Sequence, residues 1–287
     1  MSFFVGGMDS FKDKIKHKGD DHFYEFGCLA FNGNRSFSPC YEQAYSCFKE
    51  SAIEFNNLVS QFNLGVMHSS GLGVIKDDRE AFNWFLRSAE NGYEKAQIIV
   101  AKYLINGKSV ERNYVKALYW LRQAMGQGNA EAYYYTSIVY RDGLGVDANE
   151  TASLDFLKIS ANLGYDQAQF EFGRYLYELG AEHPEYLEFQ RFLKLATAQG
   201  NQLAQNFLAK VHFTENNIAY CPKKGIDLLA ELANKNNIDA LIQLWNMFSK
   251  GIHVGKDHKK ALSFLKKAKD LGSTKALEIW NDVVVIR

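Results

Sequence analysis

The sequence has little of what would announce a chemistry. Three prolines among 287 residues leave few places where a helix must break, because proline removes a backbone donor and clashes with the preceding turn. The chain is therefore read as helical. Its four cysteines, Cys28, Cys40, Cys47 and Cys221, form no C-x-x-C pair and no zinc-ligand spacing. They are expected as free thiols in a reducing cytoplasm, with a disulfide from Cys28 to Cys40 or Cys47 as the alternative. Net charge is missing too, thirty-three Lys and Arg against thirty-three Asp and Glu, so the basic excess of a nucleic-acid binder is absent. No apolar run approaches the roughly 18 residues of a membrane-spanning helix. At the N-terminus Phe3, Phe4 and Val5 are cut off by Gly6 and Gly7 before the apolar core of a secretory signal can form. The expectation is a cytoplasmic protein without membrane insertion.

Catalytic motifs are lacking as well. There is no G-x-S-x-G, no H-E-x-x-H and no carboxylate pair in a context that would separate the two acidities. The seven histidines, His17, His22, His68, His183, His212, His253 and His258, show no metal-ligand spacing. Gly71-Leu72-Gly73-Val74 has no strand before it and no Lys-Ser/Thr after it, so it is a turn and not a phosphate loop. The reading is a non-enzyme with no catalytic residue, no metal and no cofactor.

What is present is a globular composition, 47% hydrophobic and 23% charged, arranged in an internal repeat. Ala96, Ala132, Ala168, Ala204, Ala240 and Ala276 stand 36 residues apart. Gly92, Gly128, Gly164, Gly200 and Gly272 keep the same interval, with Asn236 in the one gap. A large residue recurs at Trp84, Trp120, Phe156, Phe192, Leu228 and Phe264, each followed by Phe or Leu. Each unit reads as two helices. The first begins at the recurrent alanine and is ended by Gly71, Gly107, Gly143 or Gly251, where a left-handed helix end favours glycine. His68 and His212 share one repeat position with Leu104, Tyr140 and Leu176 and are read as semi-buried structural residues.

Leu64-Gly65, Gly71-Leu72-Gly73-Val74, Asp77, Ala81, Trp84, Ala89 and Gly92 together resemble the Sel1-like repeat, a relative of the tetratricopeptide repeat. Units at 60–95, 96–131, 132–167 and 240–275 follow the pattern; in 168–203 the turn becomes Leu179-Gly180-Ala181-Glu182-His183-Pro184, in 204–239 Glu215-Asn216-Asn217 lacks any glycine, and 22–59 carries two extra residues. The resemblance implies an all-α fold, a right-handed α-solenoid superhelix of about seven 36-residue helix-turn-helix repeats. Such a stack needs capped ends. Residues 1–21 are expected to hold the N-terminal cap, and 276–287 a capping helix and apolar tail. Val283 to Ile286 is read as folding back over the last pair, or else as docking another protein.

The resemblance also supplies an orientation, in which one face of the first helices lines a concave surface. Counting from the recurrent alanine, positions one, five, nine and twelve are read as core, and four, seven, eight and eleven as the partner-binding face. That face is expected to hold Met67, Ile99, Lys102, Tyr103, Tyr135, Val139, Asp142, Glu171, Arg174, Tyr175, Phe207, Lys210, Val211 and Met247. Aromatic and aliphatic residues flanked by charges suit a protein-binding surface. Of Tyr133-Tyr134-Tyr135, Tyr134 is placed inside and Tyr135 in the groove, while Trp84 and Trp120 are placed in the core. The lysines between 250 and 275 are read as a solvated convex face, an acidic docking surface being the alternative. The expected function is a scaffold, monomeric when free, that binds another protein and no nucleic acid. The resemblance allows an immunity protein that neutralises a toxin, a signalling or host-interaction adaptor, or a hydrolase of the cysteine-rich repeat type, whose repeated cysteine pairs are missing here.

Overall fold

The computed structural model describes residues 22–33, 38–215 and 217–285; the expected N-terminal cap at 1–21 lies outside them. Among the described residues the chain is all-helical. The helices are α1 His22–Asn32, α2 Tyr41–Glu54, α3 Leu58–Ser70, α4 Asp78–Glu90, α5 Glu94–Asn106, α6 Tyr114–Gly126, α7 Ala130–Asp142 and α8 Glu150–Asn162. They continue as α9 Asp166–Glu178, α10 Glu188–Ala198, α11 Gln202–Phe213, α12 Pro222–Asn234, α13 Ile238–Lys250, α14 His258–Asp270 and α15 Thr274–Trp280. Two compact units divide the chain between Ser153 and Leu154. Within each, helices consecutive in sequence pack against one another, as expected when one amphipathic hairpin cannot bury its own apolar face.

Local chemistry sets the helix ends. α3, α5, α7 and α13 each stop at a left-handed glycine, Gly71, Gly107, Gly143 and Gly251, whose φ lies between 64° and 78°. The loop is then closed by one recurring bond. Asp77 N–H donates to the His68 carbonyl at 2.9 Å, and Asn113 to Leu104, Asn149 to Tyr140 and Asp257 to Phe248 do the same. Those four donors also cap the second helices, each side chain accepting backbone N–H groups of the first turn.

The core runs along the inner faces of the hairpins. The recurrent alanines Ala96, Ala132, Ala168, Ala204, Ala240 and Ala276 are completely buried. Of the two large columns, the second is sealed: Phe85, Leu121, Leu193, Leu229 and Leu265 are 0–2% exposed and Leu157 8%. Trp84 and Trp120, expected in the core, are only half-buried. They sit one step (about 100°) round the helix from the sealed column, at its rim. In unit one a backbone-to-ring approach explains a glycine inside a helix, because a Cβ on Gly65 would stand 2.6 Å from the Phe85 ring.

A polar column missed in the sequence stitches neighbouring hairpins. Buried Gln97 donates to the Ala89 carbonyl (3.2 Å) and accepts from Gln127 (3.0 Å), which also donates to the Gly92 carbonyl. Gln169 and Gln199 repeat the motif in the second unit. Gln97 and Gln169 are thereby satisfied, which a lone buried glutamine would not be.

The four cysteines are free. At the C-terminus α15 runs on into a π-helical turn, Asn281–Val285, with Val283 40% exposed. The described residues therefore continue the helix instead of folding back as expected, and Ile286 lies outside them.

Candidate functional site

The first helix of each hairpin is covered over most of its circumference, and the uncovered strip is narrower than expected. At 100° per residue, position eight falls about 20° from position one, bordering the core arc. Met67 and Val139 are accordingly 0% exposed, Val211 1%, Tyr103 7% and Met247 7%. These five were expected on the binding face, and that assignment is corrected: a side chain at this angle points between the packed helices. Tyr175, the sixth member of the column, is half-buried and stacks on Phe172 at 6.2 Å. The buried Tyr103 ring instead closes the α4–α5 contact, packing on Phe82 and Phe85. Its hydroxyl lies 3.5 Å from Asp78, which pairs with Lys108 at 2.8 Å.

Positions four, seven and eleven remain accessible. In the first unit they bring together Ile99, Lys102 and Asn106 on α5 with Tyr135, Ile138 and Asp142 on α7. Ile138 belongs to this strip although only its neighbours were expected there. Lys102 joins the two helices: its ammonium lies 4.9 Å over the Tyr135 ring and 3.3 Å from Glu131. Partial burial pulls the Lys102 pKa down, but the Tyr135 and Glu131 contacts outweigh it and hold the amine above its ordinary value. It stays charged, as a half-desolvated cation over an aromatic face should. Tyr134 is buried, as expected, and meets half-buried Tyr135 edge-on at 5.5 Å. Asp142 is exposed; a hydrogen bond from Arg141 (2.8 Å) holds its carboxyl below the usual range.

In the second unit the same positions hold Glu171, Arg174 and Glu178 on α9, and Phe207 and Lys210 on α11. Arg174 lies 6.0 Å from the Phe170 ring and 3.8 Å from Glu178. Phe207 is half-buried, edge-on to Phe170 (6.2 Å) and Tyr177 (5.4 Å). Glu171 accepts from Gln167 at 3.0 Å. Each unit thus presents apolar or aromatic side chains bordered by opposite charges.

Two surface hollows lie elsewhere. One, about 550 Å³, is lined by Leu187, Gln190, Arg191, Lys194 and Leu195; the other, about 660 Å³, by residues including Arg79, Phe82, Ser109 and Glu111. Among the described residues no cluster of His, Cys, Asp and Glu could hold a metal ion, and no helix is long and apolar enough to cross a membrane. His68 is half-buried beside Tyr45 (3.5 Å), and His212 is buried, its Nδ1 2.6 Å from the Ala219 carbonyl.

The Sel1 repeat family model matches residues 58–93, 94–129, 130–165 and 240–273, each span opening within two residues of a first helix. Among curated proteins the chain is similar to chitin synthase regulatory factor 3 of Schizosaccharomyces pombe, 26% identical over 131 residues, 45% of this chain and 14% of that one. The chain spans well under two thirds of such relatives. Among solved structures it is similar to a protective antigen with an SLR fold from uropathogenic Escherichia coli (27% identity, TM-score 0.66, 91% of this chain and 56% of that one). A Sel1 repeat protein from Oxalobacter formigenes superposes over 86% of this chain and 99% of its own, at 22% identity and TM-score 0.74. An immunity protein from Pseudomonas aeruginosa does so over 77% and 83%, at 20% identity and TM-score 0.50. The hairpin geometry, the 36-residue register and these matches agree: the chain is a Sel1-repeat protein.

Proposed function

We propose that the chain is a non-catalytic scaffold that binds a partner protein through the accessible strips of its first helices. The observation that carries this is the Lys102–Tyr135 pair between Ile99 and Asp142. A cation held over a half-buried ring between two helices is a rigid, partly desolvated anchor, the kind of group that dominates protein interfaces. Idle helix surface would be filled with Glu, Lys and Gln. In the second unit Arg174, Phe207 and Lys210 make a comparable patch. The finer reading is an immunity protein that neutralises a cognate toxin. Its support is a fold shared with the Pseudomonas aeruginosa immunity protein. The similarity to a chitin synthase regulatory factor favours a second reading, a regulatory adaptor.

The test uses tagged full-length protein to retain a partner, identified by mass spectrometry and weighed in complex by light scattering. Wild type should hold one protein at one-to-one stoichiometry, and Tyr135→Ala with Lys102→Ala should release it while the thermal midpoint moves little. Retention of the same partner by the double variant would overturn the assignment of the face. If the retained partner is an enzyme silenced by wild type, the immunity reading stands; undiminished activity in the complex would leave the adaptor.

A further inference from the structure

Charge is segregated along this neutral chain. Residues 222–275 contain eleven lysines, no arginine and five carboxylates. Three of the lysines serve the fold. Lys267 donates to the Ala233 carbonyl at 2.7 Å, Lys260 lies 4.3 Å over the Phe248 ring, and Lys269 lies 4.4 Å over Trp280. Three of the carboxylates are also engaged: Asp257 caps α14, Glu231 accepts from Gln205 at 2.9 Å, and Asp270 sits 3.9 Å from Lys269. Lys223, Lys224, Lys256, Lys259 and Lys266 are exposed, and no ion pair neutralises them among the described residues.

Their placement runs against local stability. Lys223-Lys224 opens α12, and Lys259-Lys260 opens α14 exactly one repeat later in register, with no acidic residue in the first turn of either helix. The positive end of a helix disfavours cations there. α4 and α10, by contrast, begin with acids, Asp78 and Glu80 in one and Glu188 in the other. Lys267, reaching from α14 to the last turn of α12, shows that the two helices are neighbours, so their unpaired lysines share one outer surface. Lys256, in the turn before α14, and Lys266, within it, extend that surface.

We propose that this lysine surface of α12 and α14 docks a short acidic segment of a partner protein. The chemistry favours that occupant over other polyanions. Nucleic-acid readers combine the basic surface with arginine forks and stacking aromatics, and here the cations are lysines alone. A membrane-surface helix needs exposed apolar residues beside its basic ones; the outer row of α14 is Lys259, Ser263, Lys266 and Asp270. The same unit carries eight carboxylates against five basic residues in 154–221, which suits a short anion better than an extended one. This docking is independent of the first-helix strips.

The experiment is a fluorescence-anisotropy titration of full-length protein with a short labelled Asp/Glu peptide, at low and at physiological ionic strength. Wild type should bind it, more weakly as salt rises. The variant K223Q/K224Q/K259Q/K266Q should lose about tenfold or more, the size of a few screened charge contacts. K95Q/K116Q/K158Q/K194Q changes the net charge equally and should bind as wild type, as should the Lys102 and Tyr135 variants. Equal binding by both quadruple variants would overturn the proposal. So would tighter binding of single-stranded DNA or phosphatidylserine vesicles than of the peptide, or self-association in sedimentation that the first quadruple variant abolishes, which would give the surface to a second copy.

Discussion

The second unit contains two kinds of hairpin. α13 and α14 turn on left-handed Gly251 and close through Asp257. α9 and α10 lack the glycine in register: Leu179 caps α9 in right-handed geometry, and the positive φ, 86°, falls one residue later at Gly180. Residues 181–187 are instead anchored by Tyr186, 8% exposed and packed on Tyr177 and Phe189. α11 and α12 are joined through buried His212, bound to the Ala219 carbonyl, while Asn217 reaches the Tyr186 hydroxyl at 2.8 Å. Yet Cys221 N–H still donates to the His212 carbonyl at 2.9 Å, the same closing bond that Asp257 makes. Two adjacent loops thus brace each other where the turn glycine has gone. The endpoint of the hairpin is what the fold requires, and between α11 and α12, where Thr214 ends the helix in extended geometry, side-chain packing replaces the freedom of a glycine.

That substitution can be broken in order of expected size. Phe189→Ala, which removes a fully buried ring under Tyr177 and Tyr186, should destabilise the chain by about 3–5 kcal/mol in urea unfolding. Half-buried Trp120→Ala should lose clearly less; an equal loss would mean that the rim column is as structural as the sealed one. His212→Ala should lose about 1–3 kcal/mol by leaving the Ala219 carbonyl unpaired, and a null result would show that the closing backbone bond suffices. Gly251→Ala should lose about 1 kcal/mol or slightly more, the strain of a side chain at positive φ. If its loss exceeds that of His212→Ala, the glycine turn is the more demanding device.

Acid exposes the smallest difference. Glu185, in the loop between α9 and α10, is held below the ordinary carboxylate range by Lys158 at 2.8 Å. Asp77, in a glycine turn, is lowered by the Glu80 and Arg79 N–H groups. A carboxyl depressed on folding contributes fully above its unfolded pKa, and that contribution is lost as pH falls through the lower folded value. Both groups are solvent-exposed, so each effect is small. Glu185→Gln should flatten the acid limb of a pH–stability profile at low salt and have no effect at high salt, whereas Asp77→Asn, still a capping residue, should keep most of the helix end.

Much of the architecture was legible because a 36-residue period repeats the same constraint many times. The alanine column, the glycine helix ends at Gly71, Gly107, Gly143 and Gly251, and the free cysteines needed only local sterics and composition. The face was harder. Tyr103 and Val139 have the same types and spacing as surface anchors would, and a difference of about 40° on the helical wheel, from position eight to position four, decides whether such a residue meets the next helix or solvent. The Gln97–Gln127 pairing was invisible because its partners lie thirty residues apart and glutamine is ordinarily a surface residue.

By itself the sequence determined the repeat, the helical hairpins and their ends, because these rest on backbone preferences and apolar spacing within a few turns. Only the tertiary structure decided which side chains remain open to a partner. Accessibility depends on how closely neighbouring hairpins approach, and that distance is a property of the packed stack, encoded at no single position.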